Sequence, residues 1–277
     1  MTGRLYFGND EKKGDRWRGA LGRRLIALSC AYGLSEPQCR LCDVSKDCFF
    51  YGYFFVNKPH PYVIRPVLDK KEVYLKGEAF YLDFILIGEA AQQIEKFVYV
   101  ITDLSVTSID GGRGMFDIKN ITALNVNDMG AWQLGEYKTL VIELETPIKL
   151  KDDANGLYFS EFTFYIFFKH LIKRLLNLTN LYGGFVSVNK DAIEKEKKAL
   201  LEIANQIEMK SVTTWKDYER YSSRQKKHQK IGGHQGTLYL KGDLVRLYPF
   251  LKLGELVGVG QNTTSGFGRY KISGSPE

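Results

Sequence analysis

The residues best suited to chemistry in this 277-residue chain are four cysteines that fall within one short stretch. They have the spacing C-x8-C-x2-C-x5-C and are all the cysteines present: Cys30, Cys39, Cys42 and Cys48. Four thiolates can close a tetrahedral zinc site or hold an iron–sulfur cluster, and a C-x2-C pair gives the tight turn that such sites need. Two disulfides suit the chain less well, because it is long enough to bury a core without them. We therefore expect a structural zinc ion or 4Fe–4S cluster in a loop at residues 30–48, with four free thiols as the alternative.

The choice between the two metals stays open at this point. The spacing resembles the iron–sulfur loop of endonuclease III-type DNA glycosylases, which makes a 4Fe–4S cluster a rival to zinc. Catalysis by the cysteines is disfavoured, because four thiolates leave no open coordination position and no carboxylate cluster stands nearby.

A second feature is the glycine-rich run GVGQNTTSGFGRYKI at residues 258–272. Its glycines could let backbone N–H groups close on phosphate oxygens. A Walker loop requires Gly-Lys-Ser/Thr before a helix, and a dinucleotide site requires a helix and an acidic residue further on. An alternating strand pattern follows here instead, so both nucleotide-binding classes are excluded. An ordinary tight loop and an anion-binding loop remain open.

The charge balance favours a polyanionic partner. There are 39 Lys and Arg against 32 Asp and Glu, a formal net charge of +7. The run RYSSRQKKHQK at residues 220–230 interleaves cations with Tyr, Ser and Gln between predicted strands, which suits an arm that grips an RNA stem. A solvated charged face is the alternative. The chain starts without a signal-peptide pattern, and charges interrupt its most apolar segment, so we expect a soluble cytoplasmic protein without membrane contact.

The order of predicted elements indicates an α+β fold made of two similar halves. The first half reads as a strand at residues 4–8, a helix that starts at an Asp15 N-cap, two strands, a helix, and a strand in GGRGMFDIKNI. The second half repeats this β-α-β-β-α-β order, with a charged amphipathic insertion and a basic hairpin. We expect a helix interrupted near Pro249 before the last strand. This predicts tandem ferredoxin-like (RRM-like) domains at 1–136 and 137–277, with the cysteine loop after the first helix.

A repeated motif supports duplication. The first half contains Gly112-x-Gly114-x-Phe116-x-Ile118, and the second contains Gly266-x-Gly268-x-Tyr270-x-Ile272 at the corresponding point. The same spacing at the same place in the predicted topology favours a duplicated module.

Several stretches together resemble one known family over nearly the whole chain. They are WRGALGRRLIALSC, GGRGMFDI, ETPIKLK, WKDYERYSSRQKKHQKIGGHQG and GELVGVGQNTTSGFGRYKI. The family is that of the CRISPR repeat-processing endoribonucleases of the RAMP superfamily. The resemblance implies two ferredoxin-like domains, and CRISPR repeat RNA, as a stem-loop or single strand, as the partner. It also implies metal-independent cleavage of precursor CRISPR RNA by the ribose 2′-hydroxyl, which leaves 2′,3′-cyclic phosphate and 5′-hydroxyl ends.

The catalytic residues are harder to assign, because many family members have a histidine on or just after the first helix and this chain has none there. His60 and His228 are the candidates for base or acid, with Tyr221 assisting. We expect His170 to be structural or exposed, and His234 to occupy a turn or stack on a base. The missing helix histidine favours one alternative function, a non-cleaving RAMP-type RNA-binding subunit of a CRISPR effector complex; effector subunits are possible partners in either case.

The predicted RNA-binding residues lie on the first helix, the basic hairpin and the glycine-rich run. They are Arg18, Arg220, Arg224, Gln225, Lys226, Lys227, Lys230, Gly258, Gly260, Gly266, Gly268 and Arg269.

Overall fold

The computed structural model describes residues 4–33, 38–55, 59–107, 109, 114–126, 138–183, 189–222 and 227–273. For Glu11 and for residues 220–222 and 227–229 it describes the backbone alone. Backbone contacts divide the chain into two compact units, Met1–Ala123 with Leu181–Gly183, and Leu124–Asn180 with Gly184–Glu277. Each unit contains helices and strands, so the fold is mixed α/β. The predicted boundary after residue 136 stays a prediction.

The first unit packs two long helices against short strands. In chain order its described helices and strands are β1 (Arg4–Tyr6), α1 (Asp10–Ser29), β2 (Tyr62–Pro66), β3 (Val73–Leu75), β4 (Leu82–Leu86) and α2 (Ile94–Thr107). Strand β1 pairs antiparallel with β3, and β2 pairs antiparallel with β4. The core is rich in aromatic rings, with Trp17 of α1 and Phe97 of α2 almost fully buried.

Helix α1 begins earlier than the sequence predicted, and the Asp15 N-cap is wrong. The helix starts at Asp10, directly after Asn9. Lys13 is only 1% exposed and forms ion pairs with Asp10, at 2.6 Å, and with Asp69. The charged first turn therefore belongs to the helix because it contributes a buried ion cluster, which apolar periodicity does not reveal.

The strand predicted in GGRGMFDIKNI is wrong for the part that the structure describes. Residues 111–113 lie outside the described residues, and 114–121 form no strand. The Phe116 ring packs edge-on against Trp17 at 5.6 Å and against Phe80 at 5.7 Å, and its N–H donates to Ser105 O at 3.3 Å. A Cβ on Gly114 would lie 2.4 Å from Arg4 O, so this segment lies against β1 without forming a ladder with it.

The second unit is built on one four-stranded antiparallel sheet. Its described elements are β5 (Thr139–Ile148), α3 (Phe164–Tyr182), α4 (Lys190–Asn205), β6 (Glu208–Lys216), β7 (Glu219–Ser222), β8 (Lys227–Lys230), β9 (Gly233–Lys241), α5 (Tyr248–Val257) and β10 (Tyr270–Ser273). The strand order is β10-β5-β9-β6, with every neighbouring pair antiparallel. With α3 after β5 and α5 before β10, this is the ferredoxin-like topology predicted for the second half. Helix α4 and the hairpin β7–β8 are additions to it.

Apolar side chains at alternate positions of β5 lie on the buried face of the sheet. Leu140, Ile142 and Leu144 are at most 3% exposed and belong to one core cluster with Phe167 and Leu171 of α3. Helix α5 begins at Tyr248, with Pro249 in its first turn. The proline that was predicted to interrupt this helix therefore lies at its start. None of the helices in the described ranges combines the length and apolar character required to cross a membrane.

Candidate functional site

A first cluster of candidate side chains surrounds His60 in the first unit. His60 precedes β2, and its ring stacks on that of Tyr62, with centroids 5.6 Å apart and planes 28° apart. Burial raises the pKa of Tyr62 to about 12, and the positive charge of Arg18 on α1 opposes that shift. The structure thus brings together two residues selected from the sequence, His60 and Arg18. Tyr62 was missed, although the sequence PHPY placed it two residues after the histidine in an extended segment.

The three side chains of this cluster suit different parts of phosphodiester chemistry. A histidine can take up or release a proton near neutral pH. The Arg18 guanidinium can stabilise a developing phosphorane. The Tyr62 ring stacks on that of His60 and can therefore orient it.

Aromatic packing holds Tyr62 from two sides. Phe54, in the short helical segment Tyr51–Phe55, stacks on it at 4.4 Å, and Phe84 of β4 stacks on it at 5.7 Å. The position of His60 therefore depends on the segment that immediately follows the cysteine loop.

The other arginines of α1 have contacts within the first unit. Arg24 Nη2 donates to Asp103 Oδ1 at 2.7 Å, and Arg23 Nη2 donates to Ile109 O at 3.4 Å. The Arg16 guanidinium lies 4.7 Å from the centroid of the Tyr6 ring. Part of the positive charge on this helix is therefore used to hold the helix in place.

Two of the four histidines are internal to the second unit. The ring nitrogens of His170 lie 2.8 Å from Ile166 O and 2.9 Å from Lys151 O, as expected for a structural residue. His234 is 6% exposed, and its Nε2 lies 3.1 Å from Phe159 O. The expectation that His234 occupies a turn or stacks on a base is wrong, because it lies in β9 and is buried.

The basic hairpin consists of β7 and β8. In its antiparallel register Tyr221 lies directly opposite His228, and Arg220 opposite Gln229. Opposed positions share one face of a two-stranded ribbon, so the backbone is consistent with Tyr221 and His228 acting together. The predicted contacts Arg224, Gln225 and Lys226 lie outside the described residues.

The glycine-rich run folds tightly against the end of β5. Its four predicted glycines have positive φ angles of 73°, 84°, 79° and 74°: Gly258, Gly260, Gly266 and Gly268. A Cβ on Gly268 would lie 2.0 Å from Val259 O, and one on Gly260 would lie 2.6 Å from Lys149 O. The N–H of Val259 donates to Gly268 O at 2.9 Å, and that of Gly268 donates to Pro147 O at 3.1 Å. Several donors of the loop thus serve its own fold, and RNA contact by the glycines stays a prediction.

Arg269 is held between the glycine-rich loop and β5. Its guanidinium is ion-paired with Glu145, and its N–H donates to Thr146 Oγ1 at 2.9 Å. The Thr146 hydroxyl in turn donates to Gly266 O at 2.9 Å. A phosphate contact at Arg269 also stays a prediction.

Sequence reasoning missed a buried lysine beside this loop. Lys149 is 8% exposed; its ammonium lies 3.9 Å from the Tyr158 ring centroid and 5.9 Å from that of Trp215, and it donates to Lys230 O at 3.3 Å. Its own carbonyl accepts from Gln261 N at 3.1 Å. Burial lowers the pKa of Lys149, and the charge of Asp217 opposes that shift. Lys149 therefore links the base of the hairpin to the glycine-rich loop, and the motif ETPIKLK was its signal.

Two aromatic side chains beside Lys149 are available for stacking. Trp215 is 39% exposed and Tyr158 is 44% exposed. Single-stranded bases stack on exposed aromatic rings of this kind. The W-x-D-x-E-R-Y run already contained Trp215, but its exposure is visible only in the fold.

The four cysteines line one pocket of about 500 Å³ at the end of α1, and all are free thiols. Burial raises the pKa of Cys39, and interaction with the other three thiols raises it further. Across the described residues, no three His, Cys, Asp or Glu side chains already converge as the ligands of one metal ion. The metal itself is therefore not demonstrated.

Comparison with sequence families covers both halves of the chain. Residues 142–270 match the model of the CRISPR-associated endoribonuclease Cas6, and residues 8–145 match a model described as an N-terminal domain. A sequence search of curated proteins gave no significant match.

Solved structures match the fold over almost the full length. The Thermus thermophilus Cas6 (TTHB231) product complex has 12% identity and a TM-score of 0.60, over 98% of this chain and 97% of that one. A Cas6 (TTHA0078) product complex has 13% identity and a TM-score of 0.53, over 98% of each chain. A partial Cas6-RT-Cas1–Cas2 complex has 16% identity and a TM-score of 0.54, over 99% of this chain and 44% of that one.

The family match and the structural matches point to the same group of proteins. Residues 142–270 are thus similar to the CRISPR-associated endoribonuclease family Cas6, and the fold of the whole chain is similar to that of solved Cas6 structures.

Proposed function

We propose that this protein binds CRISPR repeat RNA through tandem ferredoxin-like domains and cleaves precursor CRISPR RNA within its repeats. The observation that carries the proposal is the match of residues 142–270 to the Cas6 endoribonuclease family, in the unit that contains the hairpin and the glycine-rich loop. Two similar structures are described as product complexes, and a third is part of a Cas6-RT-Cas1–Cas2 complex. We therefore also propose other subunits of a CRISPR complex as partners. The proposed location is the cytoplasm.

The proposed reaction is an internal transesterification. The ribose 2′-oxygen attacks the adjacent phosphorus and the bond from phosphorus to the 5′-oxygen breaks. A base takes the proton of the 2′-hydroxyl, and an acid gives a proton to the leaving 5′-oxygen. A cation stabilises the phosphorane between the two steps. The products are a 2′,3′-cyclic phosphate and a 5′-hydroxyl, and the proposed reaction uses no catalytic metal.

The cluster around His60 suits this chemistry best. His60 can serve as base or acid, Arg18 can stabilise the phosphorane, and Tyr62 fixes the His60 ring by stacking. His228, with Tyr221 opposite it in the hairpin, is the second candidate for proton transfer.

The second unit supplies the proposed grip on RNA. Lys227 and Lys230 of the hairpin can contact phosphates, and the half-exposed rings of Trp215 and Tyr158 can stack on bases. Lys149 holds these parts together through its contacts with Tyr158, Trp215 and the Lys230 carbonyl.

One observation favours a second candidate function. Helix α1 carries no histidine, whereas many relatives are expected to have their catalytic histidine there. A non-cleaving RNA-binding subunit of an effector complex would need none.

A cleavage assay separates the two functions. Labelled repeat RNA is incubated with purified protein in EDTA, and the product ends are analysed. Cleavage that leaves a 2′,3′-cyclic phosphate supports the endoribonuclease. Tight binding without cleavage supports the non-cleaving subunit, and cleavage only after a divalent metal is added contradicts the proposed mechanism.

A further inference from the structure

The cysteine pocket lies at the junction of α1 and the segment that leads to His60. Cys30 caps α1, and its N–H donates to Ile26 O at 2.9 Å. Cys48 Sγ lies 4.0 Å from Ser29 O, beside Cys30 in the chain. Cys39 is 6% exposed, so the pocket is partly closed from solvent. Residues 34–37 of this loop lie outside the described residues.

Successive turns direct the loop around this pocket. Leu41 N donates to Gln38 O at 2.9 Å, Ser45 N to Cys42 O at 3.2 Å, and Gly52 N to Cys48 O at 3.0 Å. The Tyr32 hydroxyl donates to Asp43 Oδ1 at 2.6 Å, which ties the first part of the loop to its middle. The chain thus turns repeatedly between Gln38 and Gly52, and all four cysteines line one pocket.

Apolar packing alone does not explain why the cysteines gather here. The pocket is lined by Leu41, Val44 and aromatic rings, as in ordinary packing, but also by every cysteine of the chain and by no histidine. Four soft sulfur donors around one volume are the ligand set that zinc and iron–sulfur clusters select. In the described residues no three such side chains converge on one ion, so the proposed centre requires the thiols to close together as the metal binds.

We propose that Cys30, Cys39, Cys42 and Cys48 hold a structural metal centre of thiolate chemistry, either one tetrahedral Zn²⁺ or a 4Fe–4S cluster. With all four positions taken by protein, the centre has no place for substrate. It pins the end of α1 to the segment that begins at Cys48.

The centre has a consequence for the His60 cluster. Cys48 immediately precedes the helical turns that contain Phe54, and Phe54 stacks on Tyr62 at 4.4 Å, beside His60. Loss of the metal loosens this support, so cleavage falls more than RNA binding. This consequence rests on the proposed function, whereas the metal content does not.

The test measures metal before it measures activity. Protein purified without oxygen is analysed for zinc, iron and acid-labile sulfide, and its visible spectrum is recorded. We expect about one zinc, or about four irons with absorption near 400 nm, per chain. The variant Cys39→Ser with Cys42→Ser loses the metal, and Ser45→Ala, a change in the same pocket that removes no thiol, keeps it.

Two outcomes overturn the proposal: wild-type protein with no more zinc or iron than the double variant, or four thiols that all react at once with a thiol reagent in native protein. If the double variant does not fold, wild-type protein is stripped with a strong chelator and then reconstituted. The proposal requires a fall in Tm on stripping and its recovery with zinc or with iron and sulfide. An unchanged Tm contradicts it.

Discussion

The motif Gly-x-Gly-x-aromatic-x-Ile occurs in both units but forms a different structure in each. In the second unit, Gly268 lies against the end of β5, and the residues after it form β10, which pairs with β5 from Tyr270 onward. In the first unit, Gly114 also lies against β1, since a Cβ on it would lie 2.4 Å from Arg4 O, yet the described residues after it form no strand. Strand β5 is ten residues long and offers two edges, whereas β1 has three residues and pairs with β3. A strand pattern forms a strand only where a partner edge of sufficient length is available.

The candidate chemistry is divided between the units in the same way. The first unit contains the His60 cluster and the cysteine pocket. The second contains the hairpin, the glycine-rich loop and the Lys149 cluster. We infer that the first unit performs the cleavage step and the second supplies most of the RNA affinity. Variants in each unit test this division.

The largest effect is expected from His60→Ala. Loss of a general acid or base reduces the cleavage rate by roughly 10²–10⁴-fold, and RNA affinity stays within several-fold, because the ring serves proton transfer. Cleavage under single-turnover conditions and a filter-binding titration measure the two quantities. His170→Ala is the control, since that ring contacts the Ile166 and Lys151 carbonyls and the Phe159 ring within the second unit. Normal cleavage by His60→Ala would remove this residue from the site and leave His228→Ala to be tested.

The next effect concerns the fold of the second unit. Gly268→Ala places a Cβ about 2.0 Å from Val259 O at a φ of +74°, so we expect a destabilisation of about 3 kcal/mol. Gly156→Ala is a matched control, because its φ is also +74° but its nearest neighbour is the Lys151 side chain at 3.5 Å. Chemical denaturation measures both. Equal losses would show that φ alone, and not the close approach to Val259, requires glycine.

A smaller effect is expected at the stacking surface. Trp215→Ala should weaken RNA binding by about 5- to 150-fold, the equivalent of 1–3 kcal/mol for one stacked base. Tyr239→Ala is the control, an exposed ring on β9 about 16 Å further along the sheet from the residue opposite Trp215. Similar losses in both variants, measured by fluorescence anisotropy, would contradict a localised stacking surface.

The smallest effect concerns the ion cluster at the start of α1. Burial alone would raise the pKa of Asp69, but hydrogen bonds from Lys13 and Tyr74 lower it to about 2. Because this folded-state pKa lies below the ordinary value near 3.9, the stabilisation is present above about pH 4 and is lost as the pH falls towards 2. Asp69→Asn should therefore cost at most about 1 kcal/mol at pH 7, since the carboxylate is one-third exposed, and less at pH 2.

Thermal unfolding across this pH range measures that difference. Asp83→Asn, an exposed aspartate on β4, is the control. A loss at Asp69→Asn that is the same at pH 7 and pH 2 would contradict the ion-pair explanation.

The sequence predicted the second unit better than the first. Alternating residues in β5 and long apolar periodicity in α3 report burial directly, so these elements were found. The start of α1 was missed because its stability comes from Lys13 and Asp69, which are distant in the chain. The histidine and cysteine candidates could be named from type and spacing. Tyr62 and Lys149 were missed, although each lies in a noted motif, because their burial and contacts with distant segments are visible only in the fold.

The most direct test of the division between the units is the single-turnover cleavage rate of repeat RNA at saturating protein, compared for His60→Ala and Trp215→Ala. Saturation removes differences in affinity, so the rate reports the cleavage step alone. We predict that the His60→Ala rate falls at least about 100-fold, and that the Trp215→Ala rate stays within several-fold of wild type. A normal rate for His60→Ala would contradict the account. A Trp215→Ala rate at saturation that is as low as the rate predicted for His60→Ala would contradict it as well.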